Sequence, residues 1–111
     1  MAYIPDSGEL IWLNFDPRAG HEQAGHRPAV VLSPKAYNSR TGLCLVVPVT
    51  SQRKGYPFEL ALPAKCHTTG VVLCDQVRSV DWKARQATLK ETAGLDFARE
   101  ILARFLPLVT W

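Results

Sequence analysis

Short β-forming segments separated by proline- and glycine-containing turns fill most of this chain. Two of them, Pro28–Ser33 (PAVVLS) and Leu43–Val49 (LCLVVPV), are continuous apolar runs, as is typical of buried strands. Further strands are predicted at Glu9–Phe15, Phe58–Leu62, Gly70–Cys74, Val77–Asp81 and Ala87–Leu89. Short strands at regular spacing predict a small barrel or a curled sheet.

Helical patterns occur in two places. Pro34–Gly42 has proline at its start and glycine at its end, which predicts one or two helical turns. From Leu95 to Leu106, apolar residues recur at three- and four-residue steps, which predicts an amphipathic helix that Pro107 ends or kinks. The fold class is therefore mainly β, with a C-terminal helix packed on the sheet.

The length of 111 residues fits one domain, residues 1–111, with no room for a second core. No run approaches the roughly 20 apolar residues that span a bilayer, and the N-terminus lacks the pattern of a secretory signal. Cys44, Cys66 and Cys74 are odd in number and are expected to be free thiols. These features predict a cytoplasmic protein without a membrane partner.

The positive charge is concentrated in the middle of the sequence. The whole chain carries a net charge of +3, but residues 51–90 contain seven basic and three acidic side chains and carry +4. A local excess of this kind can hold a polyanion such as a nucleic acid, although a functionless solvated face would look the same.

The loop Asp16–Arg27 contains the densest group of polar side chains. His21 and His26 are five residues apart within it, but with His67 as the remaining histidine the chain has no zinc-binding spacing. The chain also has no P-loop, no dinucleotide-binding glycine motif and no serine nucleophile elbow. We therefore expect neither a metal nor a cofactor.

The remaining chemical groups are arginine, histidine, carboxylate, hydroxyl and lysine. This inventory suits cleavage of RNA by its own 2′-hydroxyl, which needs a base, an acid and cations that stabilise the charge on phosphorus. The reaction requires neither a metal nor a protein nucleophile.

Three segments resemble the MazF/PemK family of toxin endoribonucleases. They are GELIWLNFDPRAGHEQAGHRPAVVLSP, VVPVTSQRKGYPFEL and GVVLCDQVRSVDWKAR, which occur in this order between about Gly8 and Arg85. The resemblance implies an SH3-like β-barrel, shared with gyrase-poisoning toxins, and a homodimer. It also implies that a labile antitoxin protein holds the toxin inactive.

The same resemblance implies the reaction. Family members cleave single-stranded mRNA at short sequences, leaving a 2′,3′-cyclic phosphate and a 5′-hydroxyl. A non-catalytic toxin on the same barrel, which traps a protein target such as DNA gyrase, is the alternative. The presence of both Arg27 and Thr50, which match the family's essential arginine and threonine, favours cleavage.

The resemblance implies three further catalytic residues. His21 and Asp75 match catalytic positions of the PemK branch, but Leu73 stands where that branch has an arginine, so the aspartate–arginine pair is incomplete. Glu22 matches a glutamate of the MazF branch and is a candidate base or a partner that orients Arg27. Histidine titrates near neutral pH and suits either role in proton transfer.

A second group of residues matches or neighbours positions that hold RNA. Arginine and lysine supply affinity, glutamine can read base edges, and aromatic rings can stack on bases. The predicted RNA-binding residues are Gln52, Arg53, Lys54, Tyr56, Phe58, Gln76 and Arg78.

Overall fold

The computed structural model describes residues 3–14 and 26–110. Within these ranges the chain forms seven strands, two α-helices and one 3₁₀ turn. Their bounds are β1 Glu9–Asn14, β2 His26–Val31, α1 Lys35–Thr41, β3 Leu43–Thr50, β4 Glu59–Ala61, β5 Val71–Leu73, β6 Arg78–Asp81, β7 Thr88–Thr92, α2 Leu95–Phe105 and the 3₁₀ turn Leu106–Leu108. In this part of the chain, neither helix is long and apolar enough to cross a membrane.

The described strands form one antiparallel sheet in the order β4–β5–β3–β2–β1–β7, and β6 also pairs with β3. Strand β3 is the centre of this arrangement because it has two partners along one edge. Its first half, Leu43–Val46, pairs with β6, whereas Val49 and Thr50 at its end pair with β5. Its other edge pairs with β2. The predicted mainly β fold with a C-terminal helix is confirmed.

The sheet buries apolar side chains on both faces, which explains the continuous apolar runs in β2 and β3. Alternate residues enter two clusters. One contains Val30 and Val47 and is covered by Phe97, Ala98 and Ile101 of α2. The other contains Leu13, Ala29, Val31, Cys44, Val46, Val80 and Trp82. Each central strand is therefore held from both sides.

A buried asparagine joins α1 to the sheet. The side chain of Asn38 donates hydrogen bonds to the carbonyl oxygens of Pro5 and Ser33 at 2.8 and 3.0 Å, and accepts one from the Ser33 hydroxyl. The indole N–H of Trp82 donates to the Asn38 carbonyl oxygen at 2.9 Å. These bonds satisfy polar groups that would otherwise be costly to bury.

At three strand ends the predicted boundary was wrong because backbone pairing continues beyond the apolar residues. Strand β2 begins at His26 rather than Pro28, since Asn14 and Leu13 of β1 pair with His26 and Arg27. Strand β3 includes Thr50, which we had placed in a loop. Strand β7 starts at Thr88 and runs to Thr92, past the predicted end at Leu89. The C-terminal helix ends at Phe105, one residue before the predicted end at Leu106. Pro107 lies in the 3₁₀ turn that follows.

The expectation of buried, unreactive thiols is confirmed for two cysteines. Cys44 and Cys74 are buried and free. Burial raises the pKa of Cys44 to about 12 and also raises the pKa of Cys74, because a thiolate is poorly solvated in an apolar interior. The third free cysteine, Cys66, is partly buried.

Candidate functional site

The register of the β2–β3 ladder relates the two residues expected to be essential. The ladder runs from the pair Val31–Val46 to the pair Ala29–Pro48, so Arg27 and Thr50 each lie two residues beyond the same end of it. Alternate residues of a strand point to the same side, so Arg27 shares the side of Ala29, and Thr50 shares the side of Pro48. Arg27 is exposed and Thr50 is partly buried. An arginine and a threonine that lie far apart in sequence are thus brought to the same end of the β2–β3 ladder.

The side chain of Thr50 is held by a local turn. Its Oγ1 accepts a hydrogen bond from the backbone N–H of Gln52 at 3.1 Å, and its backbone pairs with Val71 of β5. Because the hydroxyl acts as an acceptor in this turn, its own O–H is available to donate to a phosphoryl oxygen.

Arg78 lies on the same face of the sheet as Arg27 and Thr50. It pairs with Val46 of β3, and residues 46, 48 and 50 of that strand point to one side. Arg78 is exposed and belongs to the positively charged middle segment. Strand alternation therefore puts Arg27, Thr50 and Arg78 on the same side of their strands.

The segment 51–58, which carries most of the predicted RNA-binding residues, is anchored by one carboxylate. The two oxygens of Glu59 accept backbone N–H bonds from Lys54 at 2.9 Å and from Gly55 at 3.1 Å. The side chains of Gln52, Arg53 and Lys54 are exposed. Glu59 thus fixes the backbone of a loop whose basic and amide side chains face solvent.

Two predicted residues, Tyr56 and Asp75, are in direct contact. The Tyr56 hydroxyl donates a hydrogen bond to Oδ2 of Asp75, and this bond raises the pKa of Tyr56 above its usual value of 10. The Tyr56 ring is 44% exposed and its centroid lies 5.8 Å from that of Phe58. The contact ties the loop 51–58 to the turn after β5 and leaves an aromatic surface for a base.

The second carboxylate oxygen of Asp75 has an unusual environment. Oδ1 is buried and has no hydrogen-bond partner among the residues that the structure describes. Gln76, the next residue, is exposed. Leu73, in the place of the PemK-branch arginine, is partly buried within β5. The contacts of Asp75 therefore indicate a role in holding Tyr56 at least as clearly as a role in proton transfer.

Some candidate residues from the sequence lie outside the described residues or in a different element from the one predicted. His21 and Glu22 lie outside the described residues. His26, which the sequence placed in the loop Asp16–Arg27, lies on β2 with its ring centroid 6.4 Å from that of Trp12. Among residues 3–14 and 26–110, no three His, Cys, Asp or Glu side chains gather as metal ligands would.

Sequence reasoning missed Glu59 and Gly70. Glu59 has the appearance of an ordinary polar residue in an alternating strand, and nothing in the sequence marks its contacts with the loop. Gly70 gave a signal, since glycine beside a strand often marks a close backbone approach. Its neighbour in that approach is the backbone of Thr50.

Residues 6–109 match the family model described as the PemK-like, MazF-like toxin of type II toxin–antitoxin systems. The endoribonuclease toxin MazF of Escherichia coli K12 is 54% identical over 107 residues, which cover 96% of each chain. The endoribonuclease PemK of Escherichia coli is 39% identical, covering 95% of this chain and 82% of the relative.

Solved structures are also similar to this chain. A chain in the crystal structure of MazE–MazF (form II) from Deinococcus radiodurans superposes with a TM-score of 0.90 at 53% identity, covering 97% of both chains. The crystal structure of MazF (form I) from the same organism gives a TM-score of 0.86 at 53% identity, covering 97% of this chain and 98% of that one. With its match to the family model, this chain belongs to the PemK-like, MazF-like family of toxins of type II toxin–antitoxin systems.

Proposed function

We propose that this chain is the toxin of a type II toxin–antitoxin system and that it cleaves single-stranded mRNA without a metal. The observation that carries the proposal is the position of Arg27 and Thr50 at the same end of the β2–β3 ladder, two residues beyond the pair Ala29–Pro48. Relatives named as endoribonucleases, at 54% and 39% identity, support it. Cleavage of mRNA would stop translation and growth, and it places the site of action in the cytoplasm.

In the proposed reaction, the 2′-hydroxyl of RNA attacks the adjacent phosphorus. The O2′–P bond forms and the P–O5′ bond breaks, while a base takes the 2′ proton and an acid protonates the departing 5′ oxygen. The products are a 2′,3′-cyclic phosphate and a 5′-hydroxyl. DNA, which lacks the 2′-hydroxyl, does not react in this way.

Arg27 and Thr50 stabilise the charge that develops on phosphorus. The Arg27 guanidinium stays protonated at all relevant pH values, so it serves as a clamp on the phosphoryl oxygens rather than as a base. The Thr50 hydroxyl donates to one of the same oxygens. Proton transfer is assigned to Glu22 and His21, whereas Asp75, the third candidate, holds Tyr56 through its hydrogen bond.

Substrate binding is assigned to the anchored loop and its neighbours. Arg53, Lys54 and Arg78 contribute charge that attracts the phosphate backbone without reading sequence. Gln52 and Gln76 are exposed amides available to base edges, and the rings of Tyr56 and Phe58 provide stacking surfaces.

We also propose a homodimer held inactive by a cognate antitoxin protein. An open apolar groove of about 430 Å³ runs between α1, β3 and α2. It is lined by Leu32, Ser33, Pro34, Tyr37, Leu45, Val77, Leu102 and Phe105. Tyr37, Leu43 and Leu45 are exposed on this side, and a second copy of the chain would remove them from water.

The decisive experiment is incubation of the purified chain with a long RNA in EDTA, followed by mapping of the cut ends. We expect 2′,3′-cyclic phosphate and 5′-hydroxyl ends at a short recurring sequence. Intact RNA or 3′-hydroxyl ends would overturn the mechanism. Growth arrest with undamaged RNA would instead favour the non-catalytic toxin that traps a protein such as DNA gyrase.

A further inference from the structure

Gly70 lies against the backbone of Thr50 at a distance that excludes any side chain. A Cβ atom at position 70 would stand 2.4 Å from the carbonyl oxygen of Thr50, 3.1 Å from its carbonyl carbon and 3.4 Å from the Cα of Ser51. The first distance is far inside van der Waals contact. The φ angle of Gly70 is +121°, which L-residues with a side chain rarely adopt.

Thr50 has little freedom to move away from such a side chain. Its backbone pairs with Val71 of β5, and its Oγ1 is bonded to the N–H of Gln52. Gly70 is itself tied to the neighbouring segment, because its carbonyl oxygen accepts the N–H of Leu62 at 3.3 Å. With both partners held, an added methyl group has to displace the end of β3, where Thr50 lies.

We propose that Gly70 is a positioning residue for Thr50, an inference that rests on the role of Thr50 in the proposed function. The bare backbone of Gly70 lets β5 approach the end of β3 closely and thereby fixes the position of Thr50. A displacement of a reacting group by about 1 Å can reduce a rate by roughly 10²-fold. The effect should therefore appear in the chemical step rather than in RNA binding.

The first test compares Gly70→Ala with Gly42→Ala. Gly42 also has a positive φ, +75°, but a Cβ atom there would meet nothing within 4 Å. Both variants introduce backbone strain, and only Gly70→Ala pushes on Thr50. With an RNA oligonucleotide that spans a cut site mapped with the wild type, we expect Gly70→Ala to lower kcat about 10- to 100-fold with little change in KM. Gly42→Ala should retain the wild-type kcat.

The second test is a double-mutant cycle with Thr50→Ala. If Gly70 acts through Thr50, adding Gly70→Ala to Thr50→Ala should cause no further loss of kcat. Losses that multiply would show that Gly70 acts elsewhere and would overturn the inference. If Gly70→Ala is fully active while Thr50→Ala is inactive, the inference about Gly70 is overturned and the catalytic assignment of Thr50 stands. An active Thr50→Ala would remove the catalytic assignment and this inference with it.

Folding is checked by circular dichroism and thermal melting of each variant. If Gly70→Ala does not fold, Gly70→Asn takes its place, because asparagine tolerates positive φ better than other residues that carry a Cβ. Failure of both variants to fold would mean that the contact serves folding rather than the position of Thr50, and it would overturn the inference.

Discussion

The phenol of Tyr56 donates a hydrogen bond to the carboxylate of Asp75, which lies nineteen residues later in the chain. Through this bond the loop 51–58 and the turn after β5 act as one surface. The loop is also held by Glu59 through the N–H groups of Lys54 and Gly55. The segment that we propose to bind RNA, which looks like a featureless polar loop in the sequence, is thus preorganised, and preorganisation lowers the entropic cost of binding a ligand.

Two variants distinguish whether Asp75 holds Tyr56 or transfers a proton. Tyr56→Phe keeps the ring and removes the donor, so we expect KM to rise about 2- to 10-fold, the equivalent of one hydrogen bond, at unchanged kcat. Asp75→Asn keeps an acceptor for Tyr56 and removes the titrating group. Steady-state kinetics on an RNA oligonucleotide should give a near-normal kcat for Asp75→Asn. A fall of 10² or more would assign proton transfer to Asp75.

The pair of Arg27 and Thr50 makes a kinetic prediction. Arg27→Ala and Thr50→Ala should each lower the cleavage rate by at least about 10²-fold, because each removes a group that stabilises charge in the transition state. The matched control is Arg40→Ala, which removes an exposed arginine from the last turn of α1. Its cleavage rate should equal that of the wild type. An equal loss in Arg27→Ala and Arg40→Ala would point to net charge rather than to the site, since both variants remove one positive charge.

Glu59 predicts a change in loop order that is measurable without RNA. Glu59→Gln replaces one of two accepting oxygens by an N–H₂ group, so only one of the N–H groups of Lys54 and Gly55 keeps its bond. Hydrogen exchange at these two amides should accelerate, whereas the amides of β3 should stay protected. KM for RNA should rise several-fold at unchanged kcat. Unchanged exchange at both amides would contradict the anchoring role.

Glu91 predicts an acid-dependent loss of stability. Its carboxylate accepts the N–H groups of His67 and Thr68 at 3.0 and 2.8 Å and the Thr68 hydroxyl at 2.6 Å. These bonds, chiefly the one from the Thr68 hydroxyl, lower the pKa of Glu91 from 4.5 to about 2. Because the folded-state pKa is depressed, this stabilisation is complete above the unfolded value and is lost as pH falls towards 2.

The measurement is the thermal midpoint of the wild type and of Glu91→Gln between pH 7 and pH 2. The difference between the two midpoints should be largest near neutrality and should shrink below about pH 4.5. Glu100→Gln, an exposed glutamate of α2, serves as the control and should show no such trend. A constant difference across the range would contradict the assignment.

Gln86 is the one non-glycine residue with positive φ in the described part of the chain, at 54°. The left-handed region costs about 1–2 kcal/mol for a residue with a Cβ atom, and glycine loses about 0.5–1 kcal/mol through extra freedom in the unfolded state. Gln86→Gly should therefore be more stable than Gln86→Ala by about 0.5–1 kcal/mol in denaturant unfolding, because both variants lose the bond to Asn14 and only Gln86→Gly relieves the strain. Gln86→Ala retains the strain and loses the bond to Asn14, so it should stabilise nothing.

Strand and helix positions followed from local pattern, because apolar periodicity reflects which faces are buried. The pattern failed at strand ends, where His26, Thr50 and Thr92 are polar yet remain paired. Backbone hydrogen bonds do not depend on side-chain polarity, so pairing extends as far as the partner strand does. The resemblance to a known family supplied Arg27 and Thr50, but nothing in composition or spacing placed them at the same end of one ladder.

The sequence by itself determined the fold class, the location of positive charge and the burial of Cys44 and Cys74, since each depends on residues close together in the chain. Only the tertiary structure decided which distant residues meet. The β2–β3 ladder brings Arg27 and Thr50 to the same end, the loop brings Tyr56 to Asp75, and the sheet packs Gly70 against Thr50. Such relations depend on strand order and register, which arise from the packing of the whole domain.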